Sequence, residues 1–231
     1  MSTEPLWATV LSRRFLSPSM IRIVLGGTQL RSFQSTGVPD EFIWLTFAKE
    51  DGTSGGRYYT VRHWNADTCE LTVDFVKHDV GIGTKWAQLV IEGDMIEIYL
   101  PRSRFTPPPS GDIILLGDYS ALPAVARIVE ECRDRRIIVH AEIPGIEDRL
   151  DFRRKDNLTV YWHETFGKAE KATQLPNIAQ TMPCPEKSAY VWIAGEAKAV
   201  AECRKYFRTT CNIHKDHITA VGYWIEGQAR V

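Results

Sequence analysis

Pro107-Pro108-Pro109-Ser110-Gly111 splits this chain of 231 residues into two stretches with different rhythms. Three successive prolines remove three backbone N–H donors, so neither a helix nor a central strand runs through them. Ser-Gly then favours a turn. A boundary at 108/109 leaves two pieces, each long enough to build its own core.

Residues 1–108 read as strands. Leu6–Leu11, Met20–Leu25, Phe42–Ala48, Arg57–Trp64, Glu70–Lys77 and Glu92–Leu100 are short runs of β-branched and aromatic residues. Gly26-Gly27, Asp51-Gly52, Gly55-Gly56 and Glu92-Gly93-Asp94 punctuate them as turns. Short strands at this spacing predict an antiparallel Greek-key β-barrel, with one helix over Gly83–Val90. Residues 109–231 alternate strand and helix. Strands are expected at Asp112–Leu116, Ile137–Ile143, Leu158–Trp162, Tyr190–Ala194 and Ile218–Trp224, and helices at Leu122–Arg133 and Ala197–Thr209. That alternation predicts an α/β domain with a parallel sheet, whose ligands gather at the carboxyl ends of the strands. Thr165–Lys187 carries no clear period and is read as helix and loop.

The 28 basic and 29 acidic residues give a net charge of −1, evenly spread over both stretches. Nucleic acid and anionic membrane surfaces are therefore not expected partners. No apolar run reaches membrane-spanning length, and the N-terminus lacks the pattern of a secretory leader, so a cytoplasmic protein is expected. The five cysteines (69, 132, 184, 203 and 211) form no C-x-x-C. They are expected as free thiols in a reducing compartment, with no metal site.

Five segments carry the chemistry. In Arg57-Tyr58-Tyr59-Thr60-Val61-Arg62, strand alternation puts Arg57, Tyr59 and Val61 on one side and Tyr58, Thr60 and Arg62 on the other. An aromatic ring beside hydroxyl and guanidinium groups suits a flat polar-edged ring with a phosphate arm; a half-exposed strand with cross-strand aromatic pairs needs the same residues. His78-Asp79-Val80-Gly81-Ile82-Gly83-Thr84-Lys85-Trp86-Ala87 follows a strand and opens a helix. Gly81 and Gly83 allow close backbone approach to an anion, and Thr84 is placed as the N-cap. Gly117-Asp118-Tyr119-Ser120-Ala121-Leu122-Pro123-Ala124 sits where the first α/β strand ends. Ala194-Gly195-Glu196-Ala197 is a second such strand end, and Val221-Gly222-Tyr223-Trp224 closes the series.

In this order the segments resemble the siderophore-interacting protein family, within the ferredoxin-reductase-like flavoproteins. The family's R-x-Y-T-[VI]-R matches Arg57, Tyr59, Thr60, Val61 and Arg62. Its H-G-x-G-P-A-S-x-W-A is met by His78, Gly81, Trp86 and Ala87. G-D-E-T-A-L-P-A resembles Gly117 to Ala124, A-G-E-A matches Ala194 to Ala197, and G-Y-W matches Gly222 to Trp224. Asp79, Ile82, Gly83 and Thr84 replace Gly, Pro, Ala and Ser, and Tyr119 and Ser120 replace Glu and Thr. Ala194-Gly195-Glu196 stands where ferredoxin reductases carry C-G-P.

The resemblance implies an FAD-binding barrel followed by an NAD(P)H-binding-like domain. It places Arg57, Tyr58, Tyr59, Thr60, Val61, Val76, His78, Gly81, Gly83, Thr84 and Trp86 along the flavin. Asp118, Ser120 and Ala121 fall at the adenine end or the cofactor cleft, and Thr60 at the flavin's reactive edge. It further implies a monomeric reductase of ferric siderophores, with NAD(P)H or a ferredoxin as donor. Arg62, Arg102 and Arg104 are the candidates for an anionic substrate. A flavin reductase with another acceptor, or a non-catalytic ferric-siderophore binder, fits the same motifs.

Overall fold

The β-branched and aromatic runs become strands in the computed structural model, which describes residues 4–49, 51–78, 81–152, 156–165 and 173–227. The chain divides into two compact units between Ser103 and Arg104. Arg104–Pro108 goes with the second unit because Phe105 is buried edge-on against Tyr190, and the Thr106 N–H donates to the Tyr190 hydroxyl at 2.9 Å.

In the first unit, β1 (Leu6–Ser17), β2 (Met20–Gly26), β3 (Phe42–Ala48), β4 (Ser54–Thr60), β5 (His63–Asn65), β6 (Glu70–Val76) and β7 (Met95–Arg102) form one antiparallel sheet. Its order is β4-β3-β7-β1-β2-β6-β5. The expected strand Arg57–Trp64 is in fact two. At Val61 and Arg62 the chain crosses from one sheet edge to the other: Val61 N–H donates to Glu41 O at 2.8 Å, and Arg62 N–H to Thr72 O at 2.9 Å. These two residues sew the edges together. Alternation therefore ends at Thr60, and Val61 turns into the core. Ile21, Ile23, Leu25, Ile43, Leu45, Phe47, Val73 and Phe75 fill the interior. The helix α1 (Ile82–Leu89) packs against β3, β4 and β6.

In the second unit, β8 (Ile113–Gly117), β9 (Ile137–Ile143), β10 (Leu158–Glu164), β11 (Tyr190–Glu196) and β12 (Ile218–Trp224) form a parallel sheet in the order β10-β9-β8-β11-β12. Helices α2 (Leu122–Glu131), α3 (Leu175–Thr181) and α4 (Ala197–Thr209) complete it. The order reverses between β8 and β11, which creates a topological switch point at their carboxyl ends. All seven residues of β11 are buried, as an interior position in a parallel sheet covered on both faces requires.

The thiol reading is corrected. Cys184 and Cys211 form a disulfide with Cα atoms 5.3 Å apart; Cys69, Cys132 and Cys203 are not disulfide-bonded. The two lie 27 residues apart, one past α3 and the other past α4, helices that pack on each other. Linear spacing gives no sign of that meeting. With it falls the argument from free thiols to a reducing compartment. Among the described residues, no helix is long and apolar enough to cross a membrane.

Candidate functional site

The β3–β4 pairing assigns the sides of the first motif. Arg57 and Tyr59 lie opposite Leu45 and Ile43, on the inward side, whereas Tyr58 and Thr60 lie opposite Trp44 and Phe42. Tyr59 packs its ring on Phe75 at 4.3 Å and reaches its hydroxyl over Gly83 in the first turn of α1. Burial pushes its phenol up despite the nearby Arg57 cation. Gly83 is thus required by Tyr59: a Cβ there would overlap the hydroxyl. Gly55, at the start of the same inward row, abuts the Lys49 stem and Ile82. Arg57, the Tyr59 hydroxyl, Lys49 and the first turn of α1 therefore lie along one side of β4. Arg57 donates one guanidinium hydrogen to Gly56 O at 2.6 Å.

Among the described residues, no side chain caps the N-terminus of α1. Its N-cap is Gly81, at φ 134°, with no side-chain cap bond, and the first turn carries no acid. Gly81 matters here because a Cβ would strike the His78 ring at 2.9 Å, as well as strain the backbone. Thr84, expected as the cap, stands inside the helix. Its buried hydroxyl accepts from His78 N–H at 3.1 Å and donates to His78 O at 3.3 Å, tying the end of β6 to α1. Trp86 packs in the core on Phe47 and Phe75. Val76 ends β6, half-buried. Amide N–H groups at an uncapped helix start, flanked by Arg57 and Lys49, suit a pyrophosphate. This geometry fits FAD. Lys49 escaped the sequence reading because it lies outside every motif; only the β3–β4 hairpin places it.

Tyr58 is 53% exposed and meets Trp44 at 4.7 Å and Phe42 at 5.4 Å, both near edge-on. Trp44 is also opposite Tyr99, and Phe42 opposite Arg102, on β7. The outward face thus carries an aromatic wall with Thr60 and the exposed Arg102 at one end. Arg62 sits elsewhere: its guanidinium approaches Asp74 at 3.9 Å and is 14% exposed, while Asp74 accepts two 2.7 Å bonds from Arg22. Arg104 belongs to the second unit, where its carbonyl accepts from the Thr219 hydroxyl. The three arginines are not gathered into one pocket within either unit.

In the second unit Asp118 is a knot at the carboxyl end of β8. One carboxylate oxygen accepts from Ser120 N–H at 2.9 Å and the Ser120 hydroxyl at 2.5 Å. The other accepts from Glu196 N–H at 2.9 Å and the Trp224 indole at 2.7 Å. Burial raises its carboxyl above the ordinary range, against the pull of those four donors. Gly195, at φ 150°, leaves the space that this carboxylate fills. Ser120 bonds to Asp118, Asp118 bonds to β11 and β12, and Ala121 is fully buried under Gly117. Together they hold the strand ends at the switch point. Tyr119, the ring standing for a family Glu, donates its hydroxyl to buried Asp148 at 3.0 Å. Glu196 caps α4 through Ala199 N–H at 2.9 Å. Glu142, missed in the sequence, is held by the Thr173 hydroxyl and Gln174 N–H, and burial lifts it to about 7. Among the described residues no three His, Cys, Asp or Glu side chains form a metal cluster.

Comparison with known proteins agrees with both halves. Residues 51–105 match the siderophore-interacting FAD-binding domain, and residues 111–227 match the siderophore-interacting protein model. The chain is 27% identical to the ferric vibriobactin reductase ViuB of Vibrio cholerae, over 94% of this chain and 88% of that one. It is 28% identical to the NADPH-dependent ferric-chelate reductase of Escherichia coli, over 94% and 91%. The crystal structure of a siderophore utilization protein from T. fusca superposes with a TM-score of 0.89 at 26% identity, covering 100% of this chain and 97% of the other. The antiparallel unit, the parallel α/β unit and two matching family models place this chain in the siderophore-interacting protein family.

Proposed function

We propose that the chain is an FAD-dependent reductase that takes electrons from a reduced nicotinamide and delivers them to the ferric ion of a siderophore, releasing iron. The observation that carries this reading is the uncapped N-terminus of α1 beside Arg57, Lys49 and the Tyr59 hydroxyl. The names of the Vibrio cholerae and Escherichia coli relatives support the acceptor, and the latter supports NADPH as donor.

In the first unit, Arg57 and the amides of Ile82 and Gly83 hold the pyrophosphate as charge-assisted and helix-end donors. Gly81 keeps the approach clear, and His78 stands at its rim. The Thr60 hydroxyl, fixed at the end of β4, offers a hydrogen bond to the flavin's nitrogen edge. The one chemistry supplied from outside the chain is FAD's own: hydride acceptance and single-electron delivery. Arg102, across Phe42 from Thr60 at the end of the aromatic wall, attracts the anionic chelate. In the second unit, Asp118 fixes the strand ends that form the nicotinamide crevice and touches no ligand itself. Hard oxygen donors hold ferric iron more tightly than ferrous, so reduction loosens the chelate. A reduced nicotinamide as donor places the reaction in the cytoplasm.

The test is reduction of FAD-loaded protein by NADPH, NADH and reduced ferredoxin in parallel, without oxygen. NADPH is expected to bleach the flavin fastest. Bleaching by ferredoxin alone would move the donor assignment and leave the flavin site standing.

A further inference from the structure

His140 and His163 lie on adjacent parallel strands, β9 and β10, and belong to no site described so far. His140 is opposite Tyr161 in register, and His163 is opposite Glu142. Strand alternation puts all four on one sheet face. The His140 Nδ1 and His163 Nε2 atoms are 3.2 Å apart, with the rings 15° from parallel. Tyr161 stacks on His140 at 4.7 Å from the outer strand β10 and is half exposed, so the pair lies near the surface.

We infer that His140 and His163 form a two-imidazole chelate for a divalent first-row metal ion. Metal–imidazole bonds of 2.0–2.1 Å put two ligand nitrogens about 3.3 Å apart at a tetrahedral angle and about 2.9 Å apart at a right angle. The observed spacing falls between these, so a metal ion takes the place of the shared proton, which moves through solvent to the other nitrogen of its own ring, with small ring rotations. No third His, Cys, Asp or Glu among the described residues completes the shell. Glu142, the nearest carboxylate in register, is turned onto Thr173 and Gln174. The remaining positions fall to water, which makes the site open and its hold weak. If the proposed function stands, the ion it meets is the ferrous product. Ferrous ion lies at the weak end of the divalent series on imidazole, which suits a station that must release what it takes. The plainer role of the pair is a hydrogen bond stapling β9 to β10, and metal titration separates the two.

The experiment titrates FAD-loaded protein, without oxygen, with Co²⁺, Zn²⁺ and Fe²⁺. Calorimetry gives stoichiometry, the cobalt visible spectrum gives ligand type, and imidazole NMR signals locate the ion. One ion per chain is expected, with the His140 and His163 signals shifted and those of His214 and His217 unmoved. His163→Gln and His140→Gln should each weaken binding at least tenfold while flavin content and NADPH oxidation stay unchanged. No binding, or binding that both variants retain, overturns the proposal; the second outcome means an adventitious ion only. Should His140→Gln fail to fold, the His163→Gln titration and the wild-type NMR shifts decide alone. Cobalt binding in a protein whose flavin never reduces ferric chelates would sink the proposed function and leave the metal site intact.

Discussion

Replacing Glu142 by Gln should change how stability depends on pH by an amount set by its burial. Glu142 is 3% exposed, and its carboxyl moves from 4.5 to about 7 on folding, chiefly through desolvation. Between these values the folded chain keeps a proton that the unfolded chain has lost. Stability from this group is therefore complete below pH 4.5 and disappears as pH rises through 7, at about 1.4 kcal/mol per pH unit. The whole effect is about 3 kcal/mol. His140 acts with the opposite sign. Its pKa falls from 6.5 to about 4, so its contribution is present at neutral pH and is lost as pH falls. The two slopes oppose each other between pH 4.5 and 6.5, and the wild-type profile alone hides both. The difference between wild type and E142Q isolates Glu142, because His140 is common to both. Urea unfolding at pH 5, 6, 7 and 8, with amide exchange of Leu175–Thr181 reporting the second unit, should show E142Q gaining about 3 kcal/mol relative to wild type across that range. A difference that stays flat with pH would refute the reasoning.

Further outcomes follow from the same geometry. Arg57→Ala should weaken FAD binding roughly ten- to hundredfold, the worth of a charged hydrogen bond of about 1.5–3 kcal/mol, with the far-ultraviolet spectrum unchanged; equilibrium dialysis of FAD checks it. Reducing Cys184–Cys211, or replacing both by Ser, should cost about 3.6 kcal/mol for a loop of 27 residues, read as a shift in the urea midpoint with and without reductant. Trp224→Phe removes the 2.7 Å indole donor from buried Asp118 and should cost about 1–3 kcal/mol in unfolding free energy.

The strands and helices were readable because their hydrophobic periods are local. Phe42–Ala48, Ile137–Ile143, Ala197–Thr209 and Ile218–Trp224 stand where their patterns put them. What failed depended on contacts distant in sequence. Val61 and Arg62 continue a strand-like run, yet the sheet must change edges there, and no local signal marks that crossing. Thr84 looks like a helix cap by residue type; Gly81 takes that place because the turn needs a positive φ. Tyr58 and Tyr59 differ in environment only through the partners of β4, so adjacency in the motif could not tell wall from core. Asp118 was legible as a strand-end residue, but its partners Glu196 and Trp224 come from strands 78 and 106 residues away.

The measurement that bears most directly on the central claim is an anaerobic titration of the purified FAD-loaded protein. NADPH is added until the flavin is reduced, followed by ferric catecholate, hydroxamate and citrate chelates in turn, with ferrous iron captured by a chromogenic chelator. The flavin should bleach with NADPH, recover its oxidised spectrum with at least one ferric chelate, and yield two ferrous ions per reduced flavin. A protein that binds no FAD, or a reduced flavin that no ferric chelate reoxidises, would contradict the account.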